Sequence, residues 1–196
     1  MSAEDLDVLK KEFAAEVIGA KEFRGEHTIT VSLAALYYVL AYCKNSLGYN
    51  FLLDISSLDH FGDDPRFEMV YELATVDDKK HLRVKAPVGE EESVKSAVDL
   101  WLAADWHERE AYDMMGINFT GHPNMKRILM WEGYPFFPLR KDFPLTGYTE
   151  VRYDEDRKSV VYEPVKLAQD FRSFDFLSPW EGTDYVLPGD EKGEAK

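Results

Sequence analysis

Apolar residues recur along this chain at two different periods, and the switches between them divide it into elements. In the first eighteen residues Leu6, Leu9, Phe13 and Val17 stand three or four apart, which predicts an amphipathic helix over 3–18. Over 27–31 apolar and polar side chains alternate around Thr, Ile and Val, as in a half-buried strand. Ser32 then occupies an N-cap position ahead of the apolar run 33–43, predicting a buried helix that continues toward Gly48. Three more strands are expected over 51–61, 67–76 and 81–86, separated by the turn signals Gly62-Asp-Asp-Pro65 and Asp77-Asp78, the last two strands forming a hairpin. Ser93 reads as another cap, because Val94, Ala97, Val98, Trp101 and Leu102 follow at helical spacing and carry a helix toward Tyr112 before Gly116 ends it. This order predicts an α+β domain over residues 1–120, a mixed sheet packed with helices.

Beyond residue 120 the pattern changes. Pro123, Pro135, Pro138, Pro144, Pro164, Pro179 and Pro188 each withhold a backbone donor, so regular structure is discouraged. The exception is a short hairpin near 151–162, around the turn Asp154-Glu-Asp-Arg157. The same stretch carries Trp131, Tyr134, Phe136, Phe137, Phe143, Tyr148, Phe171, Phe174, Phe176 and Trp180, a content foreign to disordered tails. Residues 121–196 therefore read as a long, largely extended arm rich in Pro and aromatics. Its apolar side chains need a surface, and a partner protein is the expected one over about 121–182. Only 189–196 looks like a free polar end.

Composition narrows the function classes. The chain has 196 residues and a net charge of -14, which opposes binding to a nucleic-acid backbone. The run 33–43 is far shorter than the roughly 20 residues of a membrane-spanning helix, so no direct membrane span is expected. An acidic N-terminus unlike a basic targeting peptide makes the cytoplasm the expected compartment. The single cysteine, Cys43, can neither close an intrachain disulfide nor supply the four thiolates of an iron–sulfur cluster, and its apolar neighbours mark a buried structural thiol.

Candidate chemistry concentrates in Trp106-His-Glu-Arg-Glu-Ala-Tyr-Asp-Met-Met-Gly116. On a helix Glu110 and Asp113 share a face, as do Arg109 and Asp113. Paired carboxylates can divide acid and base roles, and His107 with Glu110 could contribute to a metal site. The second histidine of a H-E-x-x-H zinc site is absent. Against catalysis stands a structural reading, which the sequence favours: Glu108, Arg109, Glu110 and Asp113 form a partly buried ion-pair network among Trp106, Tyr112, Met114 and Met115. A second cluster, Gly121-His-Pro-Asn-Met-Lys-Arg127 with Pro138-Leu-Arg-Lys-Asp-Phe-Pro144, sets Arg127, Arg140 and Lys141 among prolines and aromatics. These cations suit ion pairing with an acidic partner surface better than a phosphate site, since no Gly-rich loop precedes a helix. His27, His60 and His81 read as structural histidines, and G-x-G-x-x-G, G-x-S-x-G and C-x-x-C do not occur.

Glu108-Arg-Glu-Ala-Tyr-Asp-Met-Met115, followed after six residues by His122 and after three more by Lys126-Arg-Ile-Leu129, resembles the signature of the 30 kDa subunit of respiratory complex I, the C-type subunit of bacteria. The resemblance continues through Pro138-Leu-Arg-Lys-Asp-Phe-Pro-Leu-Thr-Gly147, Val161-Tyr-Glu-Pro and Phe174-Asp-Phe-Leu-Ser-Pro-Trp180. It departs at Phe136-Phe137, where the family usually has glycine and one polar or aromatic residue before Pro-Leu-Arg-Lys. It implies a cofactor-free subunit in the peripheral arm of the NADH:quinone oxidoreductase, on the cytoplasmic side of the inner membrane. There the chain would support electron transfer from NADH through FMN and iron–sulfur clusters to quinone, coupled to proton translocation. It implies a C-terminal extension laid around the D-type subunit, which helps form the quinone site, near a cluster-bearing subunit. No catalytic, cofactor-binding or metal residue is then expected in this chain. Glu108, Arg109, Glu110, Asp113, His122, Arg127, Arg140, Lys141 and Asp142 are expected in structural and interface roles. Two alternatives remain: the equivalent scaffold subunit of a membrane-bound hydrogenase, and a free-standing enzyme using Glu108, Glu110, Asp113 and His122.

Overall fold

The computed structural model describes residues 2–77 and 79–169. Asp78 of the predicted turn, the aromatics Phe171, Phe174, Phe176 and Trp180, Pro179, Pro188 and the polar end 189–196 lie outside the described residues. The elements run α1 (Ser2–Glu12), β1 (Val17–Phe23), β2 (Glu26–Val31), α2 (Leu33–Asn45), β3 (Phe51–Asp59), β4 (Phe67–Ala74), β5 (His81–Val88), β6 (Ser93–Lys95), α3 (Ala104–Met115), β7 (Asn118–Thr120), β8 (Thr149–Asp154) and β9 (Ser159–Pro164). The expected α+β class is the observed one: a five-stranded sheet in the order β1-β2-β5-β4-β3, packed with helices. It is mixed, since β2 and β5 run parallel while the other neighbours are antiparallel.

Alternation along β5 decides the two faces. Leu82, Val84, Ala86 and Val88 are buried, while His81, Arg83, Lys85 and Pro87 point the other way. The inner face meets Leu6 and Leu9 of α1 and Leu36, Val39, Leu40 and Cys43 of α2 in one core. Burial raises the Cys43 thiol to about 12, as expected of an unreactive structural cysteine. On the outer face the polar residues pair across strands. Arg83 reaches Glu72 and, at 3.3 Å, Glu26, while Lys85 meets Glu68 at 2.7 Å.

Two predicted helices are shorter than their apolar spacing suggested. The first ends at Glu12 rather than 18, and Val17 opens β1, because 17–23 pairs with β2 through a tight Arg24-Gly25 turn in which both residues have positive φ. The other begins at Ala104 rather than at Ser93. Residues 93–95 instead pair in parallel with β7, and Leu102 of the supposed apolar stripe is 84% exposed. Ser32 does hold the N-cap position of α2 with an extended backbone, but its hydroxyl donates to the Glu16 carboxylate rather than capping the helix.

The first compact unit runs from Met1 to Gly147, and the second begins at Tyr148. Residues 121–147 thus belong with the sheet and helices, although their prolines suggested a boundary near 120. The second unit contains the expected hairpin, β8 with β9.

Replacement of the fully buried Leu82 by Ala removes core volume and is expected to cost about 2–5 kcal/mol. Leu102→Ala, on the surface, is expected to change stability by less than about 0.5 kcal/mol. Chemical denaturation of the two variants measures both.

Candidate functional site

Residues 121–140 follow α3 as a strap, and the predicted site residues hold it there. Near the start of α3, the His122 ring accepts the Asn124 amide at Nδ1 (3.1 Å). Its Nε2 therefore carries the proton and donates to the Asp105 carbonyl (3.2 Å), with the Asp105 carboxylate 3.1 Å away. One turn on, Arg109 donates from Nε to the Lys126 carbonyl at 3.0 Å and stacks on Trp106 at 4.7 Å. At the end of α3 the Leu139 amide donates to the Met114 carbonyl, and Arg140 Nε donates to the Met115 carbonyl at 2.7 Å. A cation there also complements the partial negative charge of the helix C-terminus.

Asp113 is the central fastening. Its Oδ2 accepts three successive amides, from Ile128 (3.0 Å), Leu129 (2.7 Å) and Met130 (2.9 Å). Its Oδ1 accepts Arg127 Nη1 at 2.7 Å, and the same nitrogen reaches the Asp113 carbonyl. The side chain is fully buried. Burial pushes this carboxyl up, but the three amides and the guanidinium together outweigh it and hold the group below the usual carboxylate range.

Glu108 faces a different set of partners. It is fully buried and accepts the Ala97 amide (2.6 Å) and the Ser96 hydroxyl (2.7 Å), tying the loop after β6 to α3. Burial raises the Glu108 carboxyl, and the Ala97 amide and Ser96 hydroxyl offset this only in part. The expected ion-pair network of Glu108, Arg109, Glu110 and Asp113 is therefore not formed. The two buried acids bind separate backbone segments, Arg109 takes a carbonyl, and Glu110 lies exposed beside a cleft between α3 and β3. Nor do these carboxylates converge as an acid–base pair. His107 pairs with Asp54 at 3.1 Å, and among the described residues no group of three His, Cys, Asp or Glu is arranged to hold a metal.

Phe137, at the departure from the family pattern, packs under two cations, 5.3 Å from Arg127 and 4.5 Å from Arg140. The ring also explains Gly116. A Cβ at that position would lie 2.7 Å from both Phe137 and Arg140, and the residue has φ 76°, so glycine is required by space and by backbone.

A second fastening was missed from sequence. Arg66 grips Asp59 in bidentate fashion (2.8 and 2.9 Å) and also binds Glu90 and, at 3.0 Å, Asp142. Asp59 Oδ2 accepts the Lys141 amide at 2.7 Å as well. Hydrogen bonds from Arg66, helped by the Lys141 amide, hold the Asp59 carboxyl below its usual range. The available signal was an opposite-charge pair flanking the β3–β4 turn. Arg127 and Arg140, two of the three cations expected to pair with an acidic partner surface, are thus engaged within the chain, as is Asp142. Residues 121–142 owe their place to their own domain: amides withheld from any sheet find acceptors on two carboxylates and the end of α3.

The site is thus an α+β domain whose buried acids fasten the segment that follows α3. Residues 29–149 match the family model of the respiratory-chain NADH dehydrogenase 30 Kd subunit. The chain is 49% identical over 184 residues to the C-type subunit of the NADH-quinone oxidoreductase of Sinorhizobium medicae, covering 93% of this chain and 92% of that protein. It is 52% identical over 172 residues to the corresponding subunit of Brucella ovis, with coverages of 87% and 85%. The fold is also similar to a chain in the membrane-bound sulfane sulfur reductase, an archaeal respiratory membrane complex. The TM-score is 0.64 at 24% identity, over 82% of this chain and all of that one. The chain belongs to the family of the 30 Kd subunit of respiratory-chain NADH dehydrogenase.

Asp113 and Asp59 have lowered folded-state values. The stability they contribute is therefore complete above the ordinary value near 3.8 and lost as pH falls through their depressed ones. Glu108, raised, acts oppositely: its contribution is lost as pH rises past 4.5 and through its folded value. Hydrogen exchange is expected to show the amides of Ile128, Leu129 and Met130 losing protection below about pH 4, with no such loss on the same acid titration in Asp113→Asn, whose strap is already loose at pH 7. That variant leaves Arg127 without its charge partner and is expected to cost about 3–5 kcal/mol in denaturation.

Proposed function

We propose that this chain is a cofactor-free structural and assembly subunit of an NADH:quinone oxidoreductase, in the peripheral arm of the complex on the cytoplasmic side of the membrane. The observation that carries this reading is the use made of the family signature. Glu108, Asp113, His122, Arg127 and Arg140 are all occupied in fastening backbone, which leaves none of them poised to react. Among the described residues no helix is long and apolar enough to cross a membrane, which accords with attachment through other subunits. FMN, iron–sulfur clusters, NADH and quinone would be held by neighbouring subunits. The contribution of this chain to electron transfer and proton translocation is to keep those neighbours in position.

The second unit supplies the surface for a partner. Hairpin β8/β9 places Val151 and Tyr153 opposite Tyr162 and Val160, and all four are 51–69% exposed. The opposite face carries the Arg152–Glu163 pair at 2.8 Å. A two-stranded hairpin gains little stability alone. Its apolar face suits a protein surface, and the D-type subunit, beside the cluster-bearing one, is the proposed occupant. The equivalent subunit of a membrane-bound hydrogenase is the second reading; a fold shared with a chain of another respiratory membrane complex accords with it without singling it out.

Affinity purification of the tagged chain from native membranes, followed by mass spectrometry, tests this. NADH:quinone oxidoreductase subunits and NADH-driven quinone reduction are expected to co-elute. Co-elution with hydrogenase subunits instead would favour the second reading. The chain purified alone is expected to hold no stoichiometric metal or flavin, as read by elemental analysis and absorbance, and to reduce no quinone.

A further inference from the structure

Glu110 is the member of the charged motif that the fold leaves without a task. Arg109 and Asp113 hold the strap and Glu108 holds the loop after β6, whereas Glu110 is exposed and makes no hydrogen bond or ion pair among the described residues. It lines the cleft between α3 and β3, a cavity of about 120 Å³, together with Ala111, Met114 and Met115 of α3, Leu139 of the strap and residues 54–57 of β3.

Charge restricts what can enter. The lining carries two acids, Asp54 and Glu110, and no Lys, Arg or His. His107 stands 3.1 Å from Asp54, so even a protonated imidazole leaves one negative charge unmatched. Arg140, next to Leu139 in the chain, is already turned to the Met115 carbonyl and to the rings of Phe67 and Phe137. The unmatched sign selects a cation as the complementary group, and it disfavours a second copy of this chain, whose net charge is -14.

Backbone restricts it further. β3 is the edge of the five-stranded sheet with β4 as its one neighbour, so the outward amides and carbonyls of 54–57 have no strand to pair with. Polar backbone beside the buried side chains of Ala111, Met114 and Met115 suits a peptide segment better than a free ion. The small volume favours the thin methylene stem and compact ammonium of a lysine over the broad guanidinium of an arginine.

We propose that the cleft between α3 and β3 receives a lysine of a neighbouring subunit, its stem against Ala111, Met114 and Leu139 and its ammonium paired to the Glu110 carboxylate. The inference rests on the assembly reading above and adds to it a surface on the first unit, besides the hairpin of the second.

A water-soluble carbodiimide tests this on the purified complex, since it activates a carboxylate and joins it as an amide to an amine in contact with it. The expected product links Glu110 to a lysine of another subunit, is identified by mass spectrometry, and is absent from Glu110→Gln. Glu110→Lys is expected to weaken retention of the chain in the complex on the order of tenfold, read as dissociation at lower salt. Glu132→Lys makes the same charge change at another exposed acid and should be retained as the wild type is. Both variants should keep the denaturation midpoint of the wild type, showing an intact domain. Coupling of Glu110 only within its own chain, or to nothing, would overturn the proposal, as would normal retention of Glu110→Lys or an equal loss in Glu132→Lys. A wild-type chain that fails to co-purify with a respiratory complex would instead overturn the assembly reading.

Discussion

The strap of this protein depends on one buried carboxylate. Asp113 sits in the last turn of α3, out of water, and has four hydrogen-bond donors around its two oxygens. Each of those donors comes from a segment with no ladder of its own. Pro123, Pro135 and Pro138 keep that segment out of the sheets, so its remaining amides must find acceptors elsewhere. A carboxylate meets this need better than a neutral group, because charge-assisted bonds are stronger and one oxygen can accept several amides. The guanidinium of Arg127 then balances the charge.

The same logic recurs at Asp59, where Arg66 supplies the counter-charge and the Lys141 amide is the backbone client. Between the two carboxylates, Phe137 lies against Gly116 with Arg127 and Arg140 over its ring. The departure from the family pattern at Phe136-Phe137 therefore falls where an aromatic can serve as packing between cations. A dense polar motif of this kind invites a catalytic interpretation. Here Asp113 accepts from four donors of its own chain and Glu108 from two, so both buried acids have partners within the fold.

Fastening has a consequence for the surface. By holding 128–130 rigid, the buried pair fixes which side chains point outward, and these include Leu129 and Trp131. The isolated hairpin of the second unit likewise presents one apolar and one polar face. Both features place apolar side chains on the outside of a chain whose family is named for a respiratory enzyme. The outer face of the main sheet is different: its cross-strand ion pairs leave it polar and suited to water.

Alternation of period two marked β2, and runs bounded by turn signals marked β3 to β5. The hairpin β8/β9, the burial of Cys43 and the glycine that ends α3 were also legible locally, as was the family, from linked motifs at fixed spacing. What local pattern could not decide was where tertiary partners override helical spacing. Val17 pairs with β2, and Ser93–Lys95 pair with β7, so both predicted helices were too long. The charged cluster was found, but its wiring was not: sequence spacing places Arg109 and Glu110 beside Asp113, whereas the actual partners come from residues 127–130. Arg66 and Asp59 went unnoticed for the same reason, since Asp142 and Lys141 join them only after folding. Spacing along a chain reports which residues share a face. The closing of a strap onto that face depends on donors distant in sequence, which only the tertiary structure brings within hydrogen-bond reach.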